Sequence, residues 1–448
     1  MKKKMKKNAR ISIEAFLIFV IALLLDINIS NAELEIDIHD GTFDPFNVAI
    51  TTFEGENEES NKYADKIRNT IINDLENSSL FRSISNDAFL EKPNVTTIPN
   101  FQSWKSINSE LLLIGNVNVD VDTNKIEVRY KIWDPFKEIE VQRGSYKISI
   151  DGWRRISHKI ANSVYKTLVG VSGYFDSRVV FVSEKGPELN KIKRLAIMDQ
   201  DGHGFRFLTT GKDLVLSPRF DPKSQKIIYM SYKVRNQPPK VYILDLESGE
   251  QRVIGDIRGM SFAPRFSPDN DHAIISLAIG GTSNIYEIDL DTGEKIQLTN
   301  QKGFIDTSPD YSNDAKKIVF NSDRDFGRTH IYVMNRDGSD ITKISGGDGS
   351  YRTPVWSPDG KWIAFTKILS GNFYIGIMKP DGSEEKLLTS SWLEESPSWA
   401  PNSNTIIFGR QKRDGKNQLY AIDISGHNER LIYSHTDGSQ PSWSPYLN

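Results

Sequence analysis

The sequence predicts an N-terminal α/β domain followed by a six-bladed all-β propeller closed by the C-terminal strand. A proline two residues ahead of an aromatic returns at Pro218, Pro264, Pro309, Pro354, Pro397 and Pro441, at intervals of 46, 45, 45, 43 and 44, the period of a propeller blade. Before residue 170 that repeat is absent, and helical and strand patterns take turns. The last repeat, "PSWSPYLN" at 441–448, is an opening blade strand with nothing after it, while the strands that follow Ser177 lack such an opening strand. Joined, the two ends make a sixth blade and leave no exposed sheet edge.

The first ten residues, "MKKKMKKNAR", are strongly basic and lead into eleven apolar or small residues, Ala15 to Leu25, before Asp26 interrupts. A bilayer span needs about 20 such residues. Ser30-Asn31-Ala32 is a small-x-small cleavage site, so residues 1–32 read as a secretory signal removed after Ala32, with Glu33 as the mature N-terminus. The chain has no cysteine, which excludes disulfides, thiolate metal sites, cysteine nucleophiles and a lipid-modified N-terminal cysteine. Its formal charge is −3, and residues 1–32 contribute +4, which leaves −7 on the mature protein. An acidic body without a basic patch is a poor nucleic-acid partner.

Residues 33–170 read as the α/β domain. Its opening, "ELEIDIHDGTF" at 33–43, is a short alternating run followed by turn residues, expected to be a mobile segment. "NKYADKIRNTIINDLEN" sets Tyr63, Ile67, Ile71 and Leu75 on one helical face. In "NVNVDVDTNKIEVRYKI", Val117, Val119 and Val121, then Ile126, Val128, Tyr130 and Ile132, alternate with polar residues on either side of a turn, the pattern of a half-buried hairpin. "VQRGSYKISI" continues the sheet, and "GWRRISHKIANSVYKTLVG" returns to helical spacing.

Residues 171–448 are the propeller. Phe220, Phe266, Tyr311, Trp356, Trp399 and Trp443 follow the repeated prolines, and apolar strands such as "KIIYMSY" and "KIVFNSD" come next. A third strand then runs into a hairpin at Gly249, Gly293, Gly338, Gly382 or Gly426. Stacked radially, the blades cover each other's faces, with the aromatic side chains filling the gaps.

Motifs for catalysis are scarce. The seven histidines show no tight ligand spacing and read as scattered surface or hairpin residues. "GVSGYF" at 170–175 lacks the last glycine of a nucleophile elbow. "MDQDGHG", "LDLDTGE", "MNRDGSD" and "MKPDGSE" miss full calcium-loop spacing and sit where each blade needs a hairpin turn. No metal or other cofactor is expected. The loops entering the innermost strands are placed at 211–217, 257–263, 302–308, 347–353, 390–396 and 435–440. They bring Met260, Phe262, Phe304, Ile305, Tyr351, Trp392 and Leu393 to exposed positions round the channel, where an apolar patch marks an interface.

The junction "GVSGYFDSRVVFVS", the "PxWSPDG"-type strands and the terminal "WSPYL", in this domain order, resemble the TolB family of the Tol-Pal system over essentially the whole mature chain. The resemblance implies a monomeric, non-enzymatic periplasmic adaptor in outer-membrane invagination during cell division and in envelope integrity. It implies binding of the lipoprotein Pal at the channel mouth through Met260, Ser261, Phe262, Ala263, Phe304, Asp306, Thr307 and Arg352, with Ala263 and Thr307 foremost. It also implies contact with TolA through the N-terminal segment, Glu33, Leu34, Glu35, Ile36 and Asp37, and with other outer-membrane proteins. The alternative is an exported propeller lectin or hydrolase with a ligand site in the channel.

Overall fold

The computed structural model describes residues 44–187, 190–232, 238–254, 260–325 and 327–447. The signal, its cleavage site after Ala32 and the segment 33–43, with Glu33, Leu34, Glu35, Ile36 and Asp37, lie outside the described residues. From Phe43 to the C-terminus the chain forms one compact unit.

The α/β part is a mixed sheet in the order β3 (Phe81–Ser83), β1 (Phe46–Ile50), β4 (Leu111–Asp120), β5 (Lys125–Asp134), β6 (Ile139–Ser149), with β2 (Glu54–Gly55) also on β4. Helices α1 (Glu58–Asn77) and α3 (Trp153–Val169) pack together and α1 lies on β4. The Asn57 side chain accepts the Ser60 amide at 2.8 Å, and Glu58 and Glu59 occupy the first turn, so α1 starts with its unpaired donors satisfied and its dipole opposed. Gly170 ends α3 in the left-handed conformation at φ +87°. Ile67, Ile71 and Leu75 are fully buried, as their spacing predicts. The sequence pattern predicts no element at β1, β2, β3 or α2 (Phe101–Ser106). Trp104 of α2 packs with Ala49, Leu112, Ile114 and Trp133 in a second core on the opposite face.

The propeller has six four-stranded antiparallel sheets. The first runs outward through Leu214–Phe220, Lys226–Tyr232, Lys240–Asp245 and Gln251–Val253. The next four open with Met260–Phe266, Asp306–Tyr311, Ser350–Trp356 and Glu394–Trp399. In the closing blade the C-terminal strand Asp437–Trp443 pairs with Arg178–Lys185, followed by Ile192–Asp199 and Arg206–Phe207. Trp443 seals the joint: its Nε1 donates to Ser177 Oγ at 2.8 Å and its ring lies edge-on to Tyr174. Blade faces bury one another, as where Ile228 and Ile243 meet Phe266 and Ile275.

Every innermost strand carries a β-bulge of one extra residue, for example between Phe262 and Arg265. The residue just before the repeated proline is left-handed in all six: Ser217, Ala263, Ser308, Thr353, Ser396 and Gln440 have φ between +46° and +59°. None is glycine, and a following proline disfavours helical geometry, so the ring of bulges holds local strain that the surrounding sheets must offset. The strands also start earlier than expected. Segments assigned to entry loops, from Leu214, Met260, Asp306, Ser350, Glu394 and Asp437 onward, are strand, because the bulge lets pairing continue past the left-handed residue.

The α/β part sits on the face where the innermost strands end. There the turns between first and second strands emerge together with the outer hairpins. Asn428 Nδ2 donates to Asn77 O at 3.2 Å, Ser79 Oγ to Asn428 Oδ1 at 2.6 Å, and Arg430 Nη2 to Tyr174 OH at 2.6 Å. The innermost strands begin on the opposite face.

Candidate functional site

The mouth of the channel on that opposite face is built by the first residues of the innermost strands. Met260 opens its strand opposite Ala278 and is 47% exposed. Ile305, next along the ring, is also 47% exposed, and its backbone pairs with Ser283 of the neighbouring blade. Trp392 is 61% exposed. Phe262, Ala263, Phe304, Thr307 and Leu393 are half-buried, and Arg352 is exposed. Ser261 stands in the same strand as Met260.

Two predicted residues sit differently. Tyr351, expected in an exposed loop, is fully buried on Phe365, with its hydroxyl donating to Glu385 Oε2 at 2.8 Å and accepting from Lys367 Nζ at 2.7 Å. Its alternation places it between blades, a direction visible only once the strand is known to begin at Ser350. Asp306 is 1% exposed, and both its oxygens accept from Arg324 Nη2 at 2.9 Å. Its charge is thus spent inside the blade.

That brace recurs under the rim. Glu394, fully buried, accepts from Arg410 Nε at 3.0 Å, and Arg410 also forks onto Glu429. Glu184 meets Lys191 and Lys193 at 3.0 and 3.1 Å and accepts from Ser439 Oγ at 2.6 Å. Burial opposes its ionisation, but the Ser439 hydroxyl and the two ammonium groups hold the carboxyl down at about 2. The rim therefore rests on internally neutralised ion pairs, and on its outward surface Met260, Ile305 and Trp392 stand exposed among charged residues such as Lys302, Asp348, Arg352 and Glu395. Thr307 Oγ1 accepts from Asn321 Nδ2 at 2.8 Å, while Asn321 Oδ1 accepts the Thr353 amide at 3.2 Å, which ties adjacent blades together at the mouth.

Where the α/β part meets the propeller, the histidine reading needs correction. His158 is 3% exposed and His330 8%, so these two are not surface residues. His158 Nδ1 is 2.6 Å from Asp74 Oδ2, Gln200 Nε2 of the propeller donates to Asp74 Oδ1 at 2.9 Å, and Arg154 binds Asp201. Burial alone would lower the imidazole pKa, but the carboxylates of Asp74 and then Asp201 reverse this and carry it to about 9. Asp74, His158 and Asp201 approach one another closely enough to hold a cation. Arg154 already neutralises Asp201, and a protonated His158 neutralises Asp74, so the cluster is a charge-paired joint between domains. Sequence spacing could not find it, since its members come from α1, α3 and a propeller hairpin.

Comparison with known proteins now decides the family. Residues 34–141 match the TolB amino-terminal domain and residues 165–447 the TolB beta propeller domain. The chain belongs to the TolB family. It is 43% identical to the Tol-Pal system protein TolB of Rickettsia bellii (strain OSU 85-389), covering 96% of this chain and 99% of that one. It is 38% identical to that of Gluconobacter oxydans, over 92% and 89% of the two chains. The crystal structure of TolB from Acinetobacter baumannii superposes with a TM-score of 0.78 at 25% identity, over 90% of this chain and 97% of that one.

Proposed function

We propose that this TolB-family chain is a non-enzymatic periplasmic adaptor that binds a Pal-type lipoprotein at the channel mouth and reaches TolA through the segment beginning at Glu33. In that role it serves outer-membrane invagination during division and the integrity of the envelope. The observation that carries the reading is the rim: Met260, Ile305 and Trp392 stand exposed on the face away from the α/β part, above acids already neutralised from within. Such a surface loses little on desolvation and suits a protein partner. The names of its relatives, which place them in the Tol-Pal system, support the same reading.

The test is calorimetric titration with the periplasmic domain of the Pal-type lipoprotein from the same cell. Met260→Arg and Thr307→Arg, each checked for unchanged melting, are expected to weaken binding by about 2 kcal/mol or more, the loss typical of a central interface residue. Val121→Arg, at an exposed position of the α/β part, is the control. Rim variants that bind as tightly as the wild type would remove the site from the mouth.

A further inference from the structure

The far end of the channel holds a cavity of about 270 Å³, ringed by the ends of the innermost strands and the turns that follow them. Its walls combine the repeated aromatic residues and the prolines just beyond them with polar groups, among them Asp221, Asp310 and Asn313. One position of the ring is out of step with the rest. The residue following each bulge proline serves the blade structure in four of the six copies. Ser398 and Ser442 accept the amides of Trp443 and Phe220 at 3.0 Å, and Asp310 accepts that of Trp356 at 2.9 Å. Arg219 donates to the carbonyl of Pro218 at 2.7 Å. Val355 has no polar group to offer. Arg265 has five donors, and among the described residues none accepts a hydrogen bond from it.

Arg265 is 8% exposed, lines the cavity, and among the described residues is paired only with Asp310, at 3.3 Å from Nε to Oδ1 in a geometry that makes no hydrogen bond. Leaving charged donors unused in a buried place is unfavourable. Burial also raises the Asp310 carboxyl to about 6 despite Arg265, so the pair is under-satisfied on both sides. Aromatic walls with a few convergent polar groups are the usual form of a small-molecule site, and the free end of a guanidinium is a fork for a carboxylate.

We propose that the channel floor binds a small organic carboxylate with an aromatic or branched apolar body, the acid group received by the outer nitrogens of Arg265 and the body packed on Trp356 and Trp399. The site is independent of whatever occupies the rim. The probe is phenylacetate, titrated calorimetrically against the intact protein, with neutral 2-phenylacetamide as its isostere. Saturable binding of the acid and at least about tenfold weaker binding of the amide are expected, the discrimination of a charge-assisted hydrogen bond. Arg265→Met abolishes the preference for the acid. Asp310→Asn, whose amide oxygen still accepts the Trp356 amide, strengthens acid binding by removing the competing carboxylate. Absence of saturable acid binding, or equal binding of acid and amide, overturns the proposal. That contrast is read on the wild type, so it decides even if neither variant folds.

Discussion

The substitution His158→Gln should change how stability depends on pH, by an amount that follows from the joint between the domains. His158 is buried between Asp74 of α1 and Asp201 of the propeller, with Arg154 beside it, and Asp199 and Asp176 close behind, paired with Arg178, Arg155 and Lys159. Its pKa is raised from 6.5 to about 9. A group that holds its proton more tightly folded than unfolded contributes fully below its unfolded value, and the contribution is lost as pH rises through the folded one. At 1.36 kcal/mol per unit, the shift corresponds to roughly 3 kcal/mol, present at pH 6 and gone by pH 9.5. The glutamine amide introduced by the substitution still donates to Asp74 but does not titrate. Urea unfolding of both proteins across pH 6 to 9.5 should therefore show a wild-type advantage that shrinks by about that amount. Subtracting the variant cancels the groups that His158 does not touch, while Asp74, Asp199 and Asp201, whose carboxyls its charge holds lower, move with it as parts of the same joint. Parallel curves over this range would show that His158 is not the charged partner in the joint.

Two further pairs of variants have expected outcomes. Gly382 is left-handed at φ +85° and a Cβ there would strike the Ile344 carbonyl of the preceding blade, whereas Gly249, at φ +75° in an equivalent hairpin, faces open space. Gly382→Ala should thus lower the unfolding free energy by at least about 2 kcal/mol, against about 1–2 kcal/mol for Gly249→Ala, measured by denaturant titration. Deleting residues 437–448 removes the inner strand of the closing blade and should replace cooperative unfolding with early proteolysis at Arg178–Lys185, while Trp443→Phe, which loses the bond to Ser177 and part of a buried ring, should cost at least about 1 kcal/mol.

The period of the prolines made the ring legible because each blade repeats one solution to one packing problem, and the error per blade cannot accumulate round a closed circle. The helices α1 and α3 were legible for a related reason: each buries one continuous stripe, so Ile67, Ile71 and Leu75 reveal the face. Short parallel strands such as β1 carry no such signal, since five residues buried by sequence-distant neighbours look like any apolar run. At the mouth, Met260, Ile305 and Trp392 could be read as exposed apolar residues, but Tyr351 could not be told from them until the bulge fixed which way it faces. The buried charges were the least accessible. Arg265 meets Asp310 from the next blade, and His158 meets Asp74 from a helix 84 residues earlier, so closure of the fold is itself the missing information.

The six left-handed residues divide each innermost strand into two reading frames. Above the bulge, side-chain direction is counted from one end, and below it the count restarts one residue out of phase, so a substitution pattern at the rim says nothing about which residues meet at the floor. One strand can thus change its outward-facing residues at the top for a new partner while the lower half keeps its aromatic ring and cross-blade bonds. The channel's two ends are free to diverge at separate rates on a shared backbone.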